Sequence, residues 1–404
     1  MSSVRVLIAP DRYAGLLDAA QAAEAIAGGW SQGAPHNSLG WLALTDGGPG
    51  FVDAIASATG GELQMITVRD PWGRSTPATL LVSPDGSTVF LEAAQVCGAH
   101  LLQRGDDPLA ATSAGLGQLL EVALGLRPSR IIVGLSGALT VDLGLGMVSA
   151  LAPGTDPGAD AILRGGARGL GGLAPDDLAG LTSAAQRFAG VTLVGLGDLQ
   201  QPLLGLAGVA ATHAPRLGAD ASAAHRIESS LSHAVALIRR SRPEPTDLLS
   251  GAALRLDRKP GVGAGAGVGF GLSLLGAAIR DGGSEGLALV GAADSLRGVD
   301  LVVTGTAVLG WESLRSSPST AIAQAAQAHG IPAIAVCGRV EAGRRETMAA
   351  GFSGTYAATS SLAGWPAFAA HPERALAARA AAVARTWSPP APPVSPGPDS
   401  RSAD

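Results

Sequence analysis

The sequence predicts an α/β protein built on a Rossmann-like parallel sheet with an inserted second α/β domain, and three observations carry that expectation. Short, β-branched, almost continuously apolar runs recur along the chain, as strands buried on both faces require. The first two, Val4 to Ala9 and Leu39 to Leu44, each end in a polar Asp/Gly loop and lead into a helical pattern. Strand, polar loop and helix in repetition are the signature of a βαβ unit. Similar runs return near Leu301 and Ile331. The sheet begun at the N-terminus is therefore completed late in the chain, which places a Rossmann-like domain at residues 1–65 and 285–387 and an inserted α/β domain at 66–284.

Taken in order, Val4 to Ala9 (VRVLIA) is followed by Pro10, Asp11 and a turn at Gly15. Asp18 is positioned as the N-cap of an alanine-rich helix. Leu39 to Leu44 runs into Thr45-Asp46-Gly47-Gly48-Pro49-Gly50, after which a helix is expected from Phe51 to about Thr59. Met65 to Val68, Thr76 to Val82 and Thr88 to Ala93 are short strands separated by Asp70-Pro71-Trp72-Gly73 and Pro84-Asp85-Gly86, a spacing that implies antiparallel pairing in a β-rich insertion. A helix around Ser113 to Leu124 leads to the strand Arg130 to Val133 and the loop Gly134-Leu135-Ser136-Gly137. Val191 to Val194, Leu301 to Val303 and Ile331 to Val336 are further strands, while 218–255 and 264–298 read as mostly helical. From Ser388 the chain is rich in Pro and Ser without apolar periodicity, so 388–404 is expected to be a disordered tail.

Composition narrows the function classes. With 47% hydrophobic and 15% charged residues the chain has ample material for a core, and a formal charge of −5 without Lys/Arg runs gives no footprint for nucleic acid or acidic membranes. Lys259 is the only lysine, so chemistry that needs an ammonium has one candidate. The two cysteines, Cys97 and Cys337, lack the spacing of a zinc or redox pair. The start enters a strand pattern directly and no apolar run reads as a membrane span, so a cytoplasmic protein is expected.

Seven segments in order resemble motifs of the bacterial glycerate-kinase family. They are IAPDRYAG (8–15), LTDGGPGFVDAI (44–55), DPLAATSAGLGQLL (107–120), GLSGALTVDLGLGM (134–147), GDLQQPLLG (197–205), PGVGAGAGVG (260–269) and VTGTAVLGWESL (303–314). The motifs run from residue 8 to 314, and the resemblance covers roughly residues 4 to 387. The resemblance implies two α/β domains around a cleft, ATP and Mg²⁺ as cofactors, and phosphorylation of glycerate or a similar small hydroxy acid. It also implies a site: Asp11, Asp46, Asp142 and Asp198 as catalytic acids, with Asp46 and Asp198 holding the metal. Gly47, Gly48, Gly134, Gly137, Gly261, Gly263 and Gly305 would let phosphates approach the backbone.

Those residue types suit phosphoryl transfer, which asks for positioning and charge neutralisation more than for covalent chemistry by the protein. Backbone N–H groups in glycine turns cradle phosphates, carboxylates hold Mg²⁺, and a positioned acceptor orients the attacking hydroxyl. Asp11, Asp46 and Asp198 each follow a strand, where open α/β sheets bind ligands; each alone also fits a cap or turn. The family's charged residues are replaced at Ala14, Pro49, Thr306, Gly310 and Ser317, and its Asp-Asn pair by Gln200-Gln201. Two readings stay open: an active kinase, or a catalytically silent member that binds a small acid, a nucleotide or a protein partner. A dinucleotide site at Gly261 to Ala266 is disfavoured because no strand precedes it, and no P-loop motif occurs. The histidines, His213 among them, read as exposed or partly packed.

Overall fold

The computed structural model describes residues 4–13, 15–152, 156–241, 251, 255–359 and 361–388. Ala14 and the expected tail from 389 onward lie outside the described residues. The chain divides into two compact units, the first Met1–Ala43 with Ala292–Arg315 and Ile322–Asp404, the second Leu44–Gly291 with Ser316–Ala321.

The strands are β1 (Arg5–Ile8), β2 (Ser38–Trp41), β3 (Glu62–Arg69), β4 (Ser75–Val82), β5 (Thr88–Glu92) and β6 (Arg130–Gly134). They continue with β7 (Thr192–Gly197), β8 (Ala278–Asp281), β9 (Leu301–Thr304), β10 (Val308–Leu309), β11 (Ala333–Cys337), β12 (Arg339–Val340) and β13 (Gly354–Ala357).

In the first unit β13-β11-β9-β1-β2 form one parallel sheet. The helix Ala19–Gly33 starts at Asp18 with a reciprocal capping box: Asp18 accepts from the Gln21 N–H at 2.8 Å while the Gln21 side chain accepts from the Asp18 N–H at 3.0 Å. Its buried stripe of Ile26 and Trp30 meets Val6, Ile8, Leu376 and Val383 in the core, where each large side chain contributes about 1.5–3 kcal/mol by leaving water. Gly33 admits the neighbouring helix Pro372–Trp387, because a Cβ there would stand 2.8 Å from that of Ala384. The second expected strand is displaced: β2 ends at Trp41 because β1 offers only four residues to pair with, the Leu42 N–H still donates to the Ile8 carbonyl at 2.9 Å, and the chain then continues as buried connecting chain.

In the second unit the order is β3-β4-β5-β6-β7-β8. β3, β4 and β5 pair antiparallel, and β5 through β8 run parallel. The expected β-rich insertion is thus one edge of a larger sheet. Helical character across 264–298 is interrupted by β8, which the pattern missed because Ile279 is the one large apolar residue in its Ala-Ile-Arg-Asp sequence. Central β6 is Ile-Ile-Val-Gly after its first residue and fully covered, as a parallel strand between two others should be.

Candidate active site

The parallel strands of the second unit end, at one edge of the sheet, in Glu92, Gly134, Gly197 and Asp281, and the loop 45–50 lies across those ends. Gly47 has φ +82°, and a Cβ there would stand 3.0 Å from both the Gly134 Cα and the Leu196 carbonyl oxygen. Gly134 is equally crowded, its Cβ falling 2.9 Å from the Gly47 Cα. On the far side, Gly282 and Gly286 leave no room for a Cβ against the carbonyls of Asp46 and Thr45. The glycines at 47 and 134 therefore exist because two backbones touch.

That contact presents the acids. Asp46 is half-buried, and its Oδ1 accepts from the Gly48 N–H at 2.9 Å; its carbonyl accepts from the Ser136 hydroxyl at 3.2 Å. Asp198, also half-buried, follows β7 and holds the Gln200 N–H at 2.8 Å. The Gly47 contact with Leu196 brings the two acid-bearing loops to neighbouring strand ends. Beside them, Ser136 and Gly137 are half-buried, and their N–H groups have no hydrogen-bond partner among the described residues.

Other predicted residues are placed differently. Asp142 has no solvent exposure: its carboxylate accepts from the Ser113 N–H (2.7 Å) and hydroxyl (2.8 Å), the Gly144 N–H (3.0 Å) and the Gly146 N–H (3.3 Å). Burial pushes its pKa up against those donors. It ties the loop after β6 to the start of the helix Ala114–Gly125 and cannot meet a dissolved substrate. Gly261 and Gly263 are packing glycines: a Cβ on Gly261 would meet Leu199 at 2.9 Å, and one on Gly263 the Pro202 carbonyl at 2.7 Å. Asp11 and Gly305 are brought together in the first unit, where the Asp11 N–H donates to the Gly305 carbonyl at 2.9 Å. Gly305 has no space for a Cβ beside the Val336 carbonyl and the Tyr13 hydroxyl, which donates to that carbonyl.

Three residues escaped sequence reasoning. Glu92 is 5% exposed at the end of β5, and it accepts backbone N–H bonds from Gly50, Phe51 and Val52 at the start of the helix Phe51–Thr59. Its position, ending an apolar run just before Ala93, was the available signal. His213 lies close enough to Asp198 to feel its charge, and its Nδ1 is 2.8 Å from the Thr212 hydroxyl. Burial and Arg216 lower its pKa to about 4, leaving a neutral ring at pH 7. In the first unit, Glu341 Oε2 is 3.2 Å from where a Cβ of Gly310 would stand, so a carboxylate from a different segment occupies that neighbourhood. Only the tertiary contacts reveal the last two.

Glu92 gives a stability prediction. Burial raises its carboxyl to about 7 from 4.5, so the native state binds more protons than the unfolded chain between those values. This contribution is full below pH 4.5 and is lost as pH rises through 7, by about 3 kcal/mol. Urea titrations at several pH values should find that Glu92→Gln removes this part of the pH dependence; parallel wild-type and variant curves would refute it. His213 acts oppositely: its neutral form favours the fold above pH 6.5, and that support fades toward pH 4.

Among the described residues no cluster of three or more His, Cys, Asp or Glu is poised for a metal, and no helix is long and apolar enough to cross a membrane. Both cysteines are buried and unpaired with each other.

Comparison with known proteins joins this geometry to a family. Residues 6–388 match the sequence profile of the glycerate kinase family. Glycerate 2-kinase of Escherichia coli is 31% identical over 340 residues, covering 83% of this chain and 85% of the enzyme. Glycerate kinase of Bacillus subtilis is 29% identical over 338 residues, 83% and 85% of the two chains. An uncharacterised Mycobacterium bovis protein is 33% identical over 354 residues, 87% of this chain and 83% of its own. The crystal structure of a protein assigned as glycerate kinase 2 from Salmonella typhimurium superposes with a TM-score of 0.72 at 28% identity, covering 95% of this chain and 98% of that one. With the match running almost end to end and the fold shared, the chain belongs to the glycerate kinase family.

Proposed function

We propose that this chain transfers a phosphoryl group from ATP to glycerate or a similar small hydroxy acid, with Mg²⁺, at the C-terminal edge of the β5–β8 sheet. One observation supports the reading: half-buried Asp198 directly follows β7 and half-buried Asp46 lies in the loop that crosses the ends of β6 and β7, with the N–H groups of Ser136 and Gly137 unpartnered among the described residues. The residues fit the cofactor. Phosphate-bound Mg²⁺ takes one or two protein carboxylates and fills its octahedron with water and phosphate oxygen, so a three-acid cluster is not required. Asp46 and Asp198 would hold the ion, which when bound supplies charge neutralisation on the phosphates.

The rest falls to the chain's own groups. The Gly48 and Gln200 N–H groups each hold one oxygen of these carboxylates. The N–H groups of Ser136 and Gly137 offer two donors to a phosphate or carboxylate, at no cost in broken protein hydrogen bonds. Glu92 and the crowded pair Gly47/Gly134 hold this loop in one conformation, which keeps the acids oriented for transfer. Asp142 serves as a positioning residue beneath the site.

Purified protein with ATP, Mg²⁺ and D-glycerate should release ADP above a glycerate-free control. Absence of turnover, together with no melting shift from ATP or glycerate, would overturn the reading. A shift without turnover would instead mark a binding protein of the same fold.

A further inference from the structure

The last of the seven motifs has lost its charges, and the first unit shows where charge has returned. The family motif reads VTGEGRLD where this chain has VTGTAVLG, so an arginine and an aspartate are replaced by Val308 and Gly310. Val308 lies on β10, which pairs in parallel with β12 in the register Val308↔Arg339 and Leu309↔Val340. The Arg339 N–H donates to the Ala307 carbonyl and the Glu341 N–H to the Leu309 carbonyl, both at 2.9 Å, so the ladder runs on to set Glu341 beside Gly310. Residues paired in register on parallel strands share a face of the ladder. Arg339 and Glu341 therefore stand on the face, and at the two levels, where the motif has its arginine and aspartate.

The side chains agree with the ladder. Gly310 is not in the left-handed region, so its backbone does not ask for glycine. Apart from its chain neighbours, a Cβ at 310 would meet only Glu341 within 4 Å, Oε2 at 3.2 Å and Cβ at 3.8 Å. Glycine at 310 thus leaves the space that the longer acid at 341 folds across. Arg339 is mostly buried, its guanidinium carbon 5.5 Å from the centre of the Trp365 ring, and it forms an ion pair with half-exposed Glu341. We infer that the motif's charged pair has moved across the ladder, and that Glu341 is an acid the reaction needs, accepting from a hydroxyl of the substrate. This rests on the kinase reading above and adds an acceptor, a part that Asp46 and Asp198 do not supply when they hold the metal. Arg339 decides between the two uses of a carboxylate in phosphoryl transfer: an adjacent cation weakens its hold on Mg²⁺ and leaves it able to accept a hydrogen bond.

Steady-state ADP release by the full chain with ATP, Mg²⁺ and D-glycerate, read beside melting curves, tests the exchange. Glu341→Ala should lower kcat about 10²–10³-fold, the size of one lost transition-state contact. Glu341→Gln keeps the shape and removes the charge, and should lower kcat at least about tenfold. Both should melt within about 3 °C of wild type, because a half-exposed ion pair adds little to stability. Adding Gly310→Asp to Glu341→Ala returns a carboxylate from the opposite strand and should recover at least about tenfold in kcat, which a merely structural role for Glu341 does not predict. The Mg²⁺ concentration for half-maximal rate should stay within about twofold of wild type throughout. If wild type turns over and both single variants match it, the inference falls and the kinase reading stands. A double variant no faster than Glu341→Ala would also overturn the exchange with the kinase reading intact. A large rise in the Mg²⁺ requirement would make Glu341 a metal ligand and overturn its role as hydroxyl acceptor. If wild type shows no turnover, both readings fall.

Discussion

Asp142→Ala should cost about 3–5 kcal/mol of stability, the loss expected when one partner of a buried, charged network is removed. The reason is the density of donors around one carboxylate. Four of them, the N–H groups of Ser113, Gly144 and Gly146 and the Ser113 hydroxyl, converge within 2.7–3.3 Å in a site with no solvent exposure. Alanine leaves them without an acceptor, each buried orphan costing about 1–3 kcal/mol before relaxation. The turn they hold is itself unfavourable: Leu143 sits at φ +58°, a region that costs a non-glycine residue about 1–2 kcal/mol. Against a typical total of about 5–15 kcal/mol, such a loss is visible as a large fall in the urea midpoint. Asp142→Asn keeps one acceptor oxygen and should lose less. A variant within about 1 kcal/mol of wild type would deny Asp142 its structural role.

Asp46→Asn and Asp198→Asn should behave in the opposite way, losing function and keeping the fold. Under the proposed reaction each should lower kcat about 10²–10³-fold, the size of one lost transition-state contact. Stability should stay within about 0.5 kcal/mol, because both residues are only half-buried and the asparagine oxygen can still accept from the Gly48 or Gln200 N–H. ADP release under saturating ATP, Mg²⁺ and glycerate, read beside melting curves, separates the two effects. Unchanged turnover in both variants would remove these acids from the site. The pairing with Asp142 is informative, since residues with the same side chain and the same motif status are expected to fail by different routes.

Much of the fold was legible along the chain. The helix Phe51–Thr59 and the strand beginning at Arg130 stand where periodicity put them, because a buried parallel strand needs an uninterrupted apolar run and a surface helix needs a 3.6-residue stripe. β8 was not legible, since an edge strand of four residues with one large apolar side chain carries no period to detect. The start of the second unit's loop was blurred for a related reason: Leu42 to Leu44 are as apolar as β2, and only the length of its partner β1 ends the strand at Trp41.

For the site, sequence order alone determined that Asp198 follows a strand and that glycines flank both Asp46 and Asp198, because these properties are local. What each of these glycines packs against was decided by tertiary structure. Gly47 and Gly134 meet across residues 87 positions apart, while Gly261 and Gly263 are spent on contacts with Leu199 and Pro202. The same holds for charge. Asp142 looks like its fellow acids in one dimension and is sealed in three, and Glu92 and His213 enter the neighbourhood from segments no motif marked. A residue's type and its element are written in its local sequence; its exposure and its neighbours are properties of how distant segments pack.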